Sequence, residues 1–413
     1  MPSPILEEFV SRTKERFLAD VQASKGREWT VVMGNEAGDI DSVACAIAFA
    51  WRAHSMDKAA RVVPLVQIER DDYDLRPEND VALQLSGFTD AKKELLTLTD
   101  VAHMVPFPSA TFALVDHNRL LDRYASADAR VVAIVDHHED ENQHTDADPR
   151  IISPSGSCSS HMAMLCAKHM PRELATLLLT AIITDTGGLK PHGKATDVDR
   201  EAAYFLFHGS NLNENLEIGG LAVSTSDIHK VSAISDTANI LLTVKSDVRS
   251  FSIWDLLRRD YKEYSYSLSS LQQDIRVGIA TVPMRLKDWA RGNLAVEADK
   301  YMARRGLTVL GVLTTFRSVK KNKHKRQQVW VVRSSDDGVS KDAARTIMEQ
   351  LKVGLEASKD LDLNAYDLPH HNNRLAQLGF RPPDKNALVY EQGNAHATRK
   401  VVAPLVKAIF SNI

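Results

Sequence analysis

The chain has 413 residues, 44% of them hydrophobic and 25% charged, with a formal net charge of −3 at pH 7. That length exceeds what one core usually holds, so two domains are expected, and the near-balanced charge excludes a surface coated in basic residues for nucleic acid. Cys45, Cys158 and Cys166 lack CxxC spacing and read as buried free thiols of a reducing compartment. The start, Met1 to Glu8, has no basic or apolar signal region, and no stretch approaches the roughly 18 uncharged apolar residues of a membrane span, so a cytoplasmic protein is expected.

Residues 5 to 23 read as an amphipathic helix. The run from Trp29 to Gly34 predicts a strand that opens into Asn35-Glu36-Ala37-Gly38-Asp39-Ile40-Asp41-Ser42, where a helix starts. Arg61 to Val66 predicts another strand, and the acidic stretch Glu69 to Asp80 a solvated turn region. Phe112-Ala113-Leu114-Val115 and Val132-Ala133-Ile134-Val135 each run four apolar residues into an Asp-His pair, at Asp116-His117 and Asp136-His137-His138. Continuous apolar runs of this kind fit strands buried on both faces of a parallel sheet, whose carboxyl ends are where ligands collect.

Ser153 to Ser160 reads as a turn and N-cap near phosphate, without the Gly-x-Ser-x-Gly spacing of a nucleophile elbow. Pro171 starts a helix reaching Ile183, after which Asp185 faces the crevice, and Asp197 to Phe207 predicts a further helix. The break at His208 to Asn213 places the domains at 1–215 and 216–413. In the second half, strand-like runs at Val277 to Val282, Leu307 to Leu313, Val329 to Val332 and Ala387 to Tyr390 alternate with helical patterns that include Asp342 to Leu351 and Thr398 to Phe410, which predicts a smaller α/β domain.

A lone Asp at a strand end is most often a cap or turn residue. Asp-x-Asp, Asp-His and Asp-His-His, each after a buried strand, are not explained that way and point to a metal site. One helix N-terminus can favour one carboxylate, but two beside a buried strand repel unless a cation compensates them. Asp39, Asp41, Asp116, His137 and Asp185 form a mostly hard-oxygen set suited to Mg²⁺ or Mn²⁺.

Asp136-His137-His138 resembles the signature triplet of the DHH phosphoesterase superfamily. The full set, with Gly34 to Ser42, Asp116-His117-Asn118 and Thr184-Asp185-Thr186, is similar to the eukaryotic exopolyphosphatases, with family II pyrophosphatases and prune proteins as relatives. The resemblance implies a DHH domain with a mainly parallel sheet flanked by helices, followed by a smaller DHHA2-type α/β domain. It implies two divalent ions, Mg²⁺ or Mn²⁺ with Co²⁺ as a further candidate, held by Asn35, Asp39, Asp41, Asp116, His137 and Asp185, with Asp116 as the bridge.

Asp136, His138, Lys262, Arg399 and Lys400 are the implied catalytic residues. Lys262 stands in Asp260-Tyr261-Lys262, which resembles the Asp-x-Lys of family II pyrophosphatases. Arg399 and Lys400 follow Thr398 where those proteins carry Ser-Arg-Lys. His371 and Arg374 are implied to lie near phosphate. Arg317 to Arg326 carries six Lys or Arg and no acid, and Lys320, Lys321 and Lys323 within it are expected either to line a funnel for a long polyanion or to form a solvated hairpin loop.

Asn35 departs from the family II pyrophosphatases, which carry His there, and favours magnesium and the exopolyphosphatase reading. The implied function is release of terminal phosphate from linear polyphosphate by a monomer, with substrate in the cleft between the domains and no nucleic-acid or membrane partner. The alternatives are a pyrophosphatase, or a prune-like enzyme acting on short polyphosphates or cyclic nucleotides.

Overall fold

The computed structural model describes residues 5–412 apart from 102, 169, 214–223, 291, 319–322, 336–337, 366–373 and 381–385. Two compact units divide the chain, Met1–Ser246 and Asp247–Ile413.

The first unit runs α1 (Ile5–Gln22), β1 (Thr30–Met33), α2 (Ile40–Met56), β2 (Val62–Val66), α3 (Pro77–Leu85), α4 (Ala91–Glu94), β3 (Leu96–Thr97), α5 (Leu98–Val101), β4 (Thr111–Val115), β5 (Arg130–Asp136), β6 (Arg150–Ile152), α6 (Cys158–Cys166), α7 (Arg172–Asp185), α8 (Asp197–Gly209) and α9 (Ser232–Ser246). Its six strands lie in the order β3-β2-β1-β4-β5-β6, and every pairing is parallel.

The apolar runs become strands because both faces of the sheet are covered. Val32 of β1 joins the core built with α2, α6 and α7, while Val31 and Met33 join one containing Phe17, Trp29 and Tyr124. Burying each such side chain is worth about 1.5–3 kcal/mol. The chain steps outward from β1 to β3 and returns through β4, so the direction of winding reverses between β1 and β4. That reversal is the place where a crevice opens beyond the strand ends in sheets of this kind.

Helix α7 is buried from Leu174 to Thr184, with apolar residues all round, and delivers Asp185 as its last residue. All three cysteines are buried and free. No described helix is long and apolar enough to cross a membrane.

The second unit runs α10 (Ile253–Arg259), β7 (Tyr261–Leu268), β8 (Gln273–Val282), α11 (Leu286–Trp289), α12 (Leu294–Arg305), β9 (Val309–Thr314), β10 (Phe316–Ser318), β11 (Lys323–Val332), α13 (Lys341–Glu356), β12 (Leu363–Ala365), α14 (Arg374–Gln377), β13 (Ala387–Gln392) and α15 (Arg399–Phe410). Its mixed sheet has the order β12-β13-β11-β9-β8-β7, with β10 paired to β11. Within it β8 and β9 are parallel and the remaining pairs antiparallel. Residues of α10 and α12 pack into one core and those of α13 and α15 into another.

Three features differ from the sequence reading. The units divide after Ser246 and not at 215/216, because α9 packs on α3 and α7. The acidic stretch after β2 contains the start of α3, with Pro77 in its first turn. The basic run is not a single loop, since Arg317 and Ser318 lie on β10 and Lys323 to Arg326 on β11, paired antiparallel.

Candidate active site

The site is built where β1, β4 and β5 end. After Met33 the backbone turns so closely over α2 that a Cβ on Gly34 would lie 2.3 Å from the Ser42 Cβ, which only glycine avoids. Asp39 caps α2, its Oδ1 accepting from the Ser42 N–H at 3.2 Å. Ser42 Oγ accepts from the Asn35 N–H at 3.0 Å and donates to Asp116 Oδ2 at 2.6 Å.

Asp116 has φ 60°, in the left-handed region that a non-glycine residue occupies at a cost of about 1–3 kcal/mol. The turn lies at the end of β4, with the Asp116 N–H donating to Val135 O at 2.9 Å.

Two groups of side chains converge there, Asp41–His137–Asp185 and Asp116–His137–His138, the ligand atoms of each lying within 4.8 Å of one another. His137 belongs to both. Its Nε2 stands 3.3 Å from Asp116 Oδ1 and its Nδ1 is 3.0 Å from Ser155 O. His138 Nδ1 is 2.8 Å from Asp136 Oδ1 and 3.7 Å from Asp116 Oδ1. Lys245 of α9 reaches within 3.9 Å of Asp185.

The charges of this cluster do not balance. Burial raises Asp116 well above the usual carboxylate range, and the fields of Asp41 and Asp39 add to the shift despite the His137 hydrogen bond. Burial and the same two neighbours push Asp185 to about 7, with Lys245 and Lys194 opposing. Burial works to lower His137, but the Asp116 hydrogen bond and the charges of Asp41, Asp116 and Asp185 carry it up to about 10.

Acids held up and a histidine held up are the marks of crowded negative charge in need of a cation. The donor set of hard oxygens and imidazole nitrogen fits a divalent one. Asp136 differs, lowered to about 2 because His138, Asn118 and a backbone N–H outweigh its burial.

The predicted residues therefore fall into distinct places. Asp41, Asp116, His137 and Asp185 share the cluster, and Asp39 stands close enough to be felt by Asp116 and Asp185. Asp136 accepts from Asn118 Nδ2 at 2.6 Å and from the His137 N–H at 2.7 Å, so it fixes the histidines and lies outside the metal groups.

Asn35 turns its amide nitrogen to Asp116 Oδ2 at 2.6 Å, while its Oδ1 accepts from the Ala37 N–H at 2.8 Å. In this arrangement it holds Asp116 by donation and presents no carbonyl oxygen to that carboxylate.

In the second unit Arg399 opens α15 and pairs with Asp260, Nη2 to Oδ1 at 2.8 Å and Nη1 to the backbone oxygen at 3.2 Å. This brings the Asp260-x-Lys262 and Thr398-Arg399-Lys400 segments together, with Lys262 on β7 and the Lys400 N–H donating to Thr398 Oγ1. Lys323 lies exposed on β11 and Arg374 opens α14. Lys320, Lys321 and His371 lie outside the described residues.

The sequence reading missed Ser42 as a partner of Asp116 and Lys245 as a partner of Asp185. Neither has a local signal, since Ser42 looks like any first-turn serine and Lys245 stands on α9, beyond α8 in the sequence.

Residues 29–182 match the DHH family, N-terminal domain, and residues 239–409 match the DHHA2 domain. The chain thus carries a DHH-type domain followed in sequence by a DHHA2-type domain. A Schizosaccharomyces pombe protein provisionally named an exopolyphosphatase is 27% identical over 408 residues, 93% of this chain and 91% of that protein. Exopolyphosphatase PRUNE1 of Rattus norvegicus is 26% identical over 281 residues, 66% of this chain and 57% of the length of PRUNE1. A crystal structure of a Methanococcus jannaschii protein, provisionally assigned as a family II inorganic pyrophosphatase, superposes with a TM-score of 0.54 at 18% identity, covering 92% of this chain and 99% of that one. The last likeness is one of fold.

Proposed function

We propose that the protein is a metal-dependent exopolyphosphatase that releases terminal phosphate from linear inorganic polyphosphate. The observation that carries this is the convergence of Asp41, Asp116, His137 and Asp185 in buried and half-buried positions of the first unit, where the carboxylates repel one another. Two relatives with exopolyphosphatase in their names supply the substrate class.

Asp39, Asp41, Asp116, His137 and Asp185 would hold the divalent ions. When bound, such ions polarise phosphoryl oxygens and supply a nucleophile at neutral pH. The chain's own residues do the rest. Asp136 and Ser155 fix the two imidazoles, so that His138 is oriented to meet a phosphoryl oxygen. Lys262, Arg399 and Lys400 of the DHHA2 domain offer positive charge that attracts a polyanion. Lys323 adds to the attraction of a long polyanion.

Phosphate release from long polyphosphate, tripolyphosphate, pyrophosphate and cyclic AMP, each with Mg²⁺ or Mn²⁺, tests the proposal. The highest kcat/KM is expected on polyphosphate. A preference for pyrophosphate would move the protein to the pyrophosphatase class, and inertness on all four with both ions would remove the enzyme reading.

A second expectation follows from Asn35. Asn35→His replaces an amide that donates to Asp116 with an imidazole able to ligate a metal. The ratio of activity with Mn²⁺ to activity with Mg²⁺ is expected to rise about tenfold, on the order of the effect of one ligand-shell change. Metal profiles that superimpose with the parent's would deny Asn35 a role in metal choice.

A further inference from the structure

In sequence, Ser153 to Ser160 reads as a turn near phosphate, but in the fold donors of this segment go to Asp41 and Asp199. The Asp41 carboxylate is fully buried. Its Oδ1 accepts from Ser157 Oγ at 2.8 Å, the Ser159 N–H at 2.9 Å and Ser159 Oγ at 2.5 Å, whereas among the described residues its Oδ2 takes only the Cys158 N–H, at 2.7 Å. A carboxylate offers about four lone-pair directions, so Oδ2 is the oxygen left with one to spare for a cation. The same segment turns Ser155 O to His137 Nδ1 at 3.0 Å, which directs Nε2 toward Asp116.

What holds the segment is Asp199, also fully buried. It accepts from the Gly156 N–H at 2.8 Å, the Ser157 N–H at 3.2 Å and Ser160 Oγ at 2.6 Å. The approach requires glycine, because a Cβ on Gly156 would lie 2.7 Å from both Asp199 Oδ2 and the Thr186 methyl. Asp199 also caps α8, taking the Thr196 N–H at 2.7 Å and Thr196 Oγ1 at 2.8 Å. Capping accounts for the Thr196 contacts and leaves the three to residues 156–160 unexplained. A buried carboxylate is costly unless hydrogen-bonded, and most of the bonding here goes to a segment whose other contacts include two candidate metal ligands.

We propose that Asp199 is a positioning residue of the metal centre, setting Asp41 and His137 together through the Ser155 to Ser160 segment. This rests on the metal-centre reading above. Removing a hydrogen-bonding partner behind metal ligands costs about 10–100-fold in metal affinity, and that is the readout a purely structural role would not move.

The experiment is calorimetric titration of the full chain with Mn²⁺, alongside melting of the metal-free protein, for Asp199→Asn, Ser160→Ala and Thr196→Val. Asp199→Asn is expected to weaken Mn²⁺ binding about 10–100-fold and Ser160→Ala about tenfold. Thr196→Val, which removes only the capping contact, is expected to lower the melting temperature and leave affinity unchanged. If Asp199→Asn does not fold, the comparison of Ser160→Ala with Thr196→Val decides. Equal affinities for those two, or a folded Asp199→Asn that binds as the parent does, overturn the positioning role while leaving the metal centre standing. A parent chain that binds neither Mn²⁺ nor Mg²⁺ overturns the metal reading and this inference with it.

Discussion

In protein stripped of divalent ions by a chelator, Asp185→Asn is expected to melt above the parent chain at pH 8, while phosphate release from polyphosphate falls about 10³-fold when ions are returned. The stability part follows from the direction in which folding moves this acid. Asp185 is raised to about 7 by burial and by the fields of Asp41 and Asp39. A carboxylate raised on folding favours the folded state below its unfolded value, near pH 4, and that contribution is lost as pH climbs through about 7. The parent should therefore weaken across this window by up to a few kcal/mol, since each tenfold gain in proton affinity on folding is worth about 1.4 kcal/mol. The loss is moderated because Lys245 stands nearby and the side chain is 20% exposed. Asparagine has no charge to repel and escapes the loss.

With Mn²⁺ present the order should reverse. Ion binding to the folded state adds about 2.7 kcal/mol at a hundred times the dissociation constant, and the variant has lost a ligand. The expected rate loss rests on several kcal/mol of charge stabilisation by a bound ion, at about 1.4 kcal/mol per tenfold. Melting with and without chelator, read against pH, checks the crossing. If the parent is the more stable chain in both conditions, the cluster is an ordinary buried network and not a cation site.

The parts of this arrangement that were legible in sequence are those set by local pattern. Four unbroken apolar residues before Asp116 and before Asp136 can be buried on both faces only inside a parallel sheet, which fixes their carboxyl ends on one side. Helix α7 was legible for the same reason, since apolar residues all round leave only its ends for polar chemistry. The parts that were hidden depend on contacts between distant segments. Nothing near Asp41 indicates that serines more than a hundred residues later will surround its carboxylate, and a short run of serines reads equally well as a turn.

Strand β7 is absent from the strands predicted for the second half because its burial is patchy and polar residues alternate along it. The unit boundary moved because α9, apolar on the face toward α3 and α7, carries no mark in its own residues of which core will take it. Asn35 shows a further limit. Its residue type suggests an oxygen ligand, but the direction of an amide is set by its neighbours, and here Ala37 N–H takes the oxygen.

Arg399→Ala should separate phosphate binding from metal binding. Lowering of kcat/KM on polyphosphate by about 10²–10³-fold is expected, the cost of losing one group aimed at developing charge, with Mn²⁺ affinity unchanged. A cation in the first turn of α15 opposes the helix dipole, so its presence there needs compensation. Asp260 supplies part of it through two contacts to the guanidinium.

A guanidinium carries five N–H donors in a planar fork, more than those two contacts use, and the helix N-terminus beside it favours an anion. Arg399→Lys keeps the charge and loses the fork, so it is expected to restore only part of the activity. The competing account makes Arg399 a tie between α15 and the junction of α10 with β7. On that account alanine lowers the melting temperature while kcat/KM stays within a few-fold of the parent, and lysine, which cannot reproduce both contacts to Asp260, restores little stability. Measured together, the melting shift and kcat/KM of the two variants distinguish an arginine that holds the DHHA2 domain together from one that also grips the substrate.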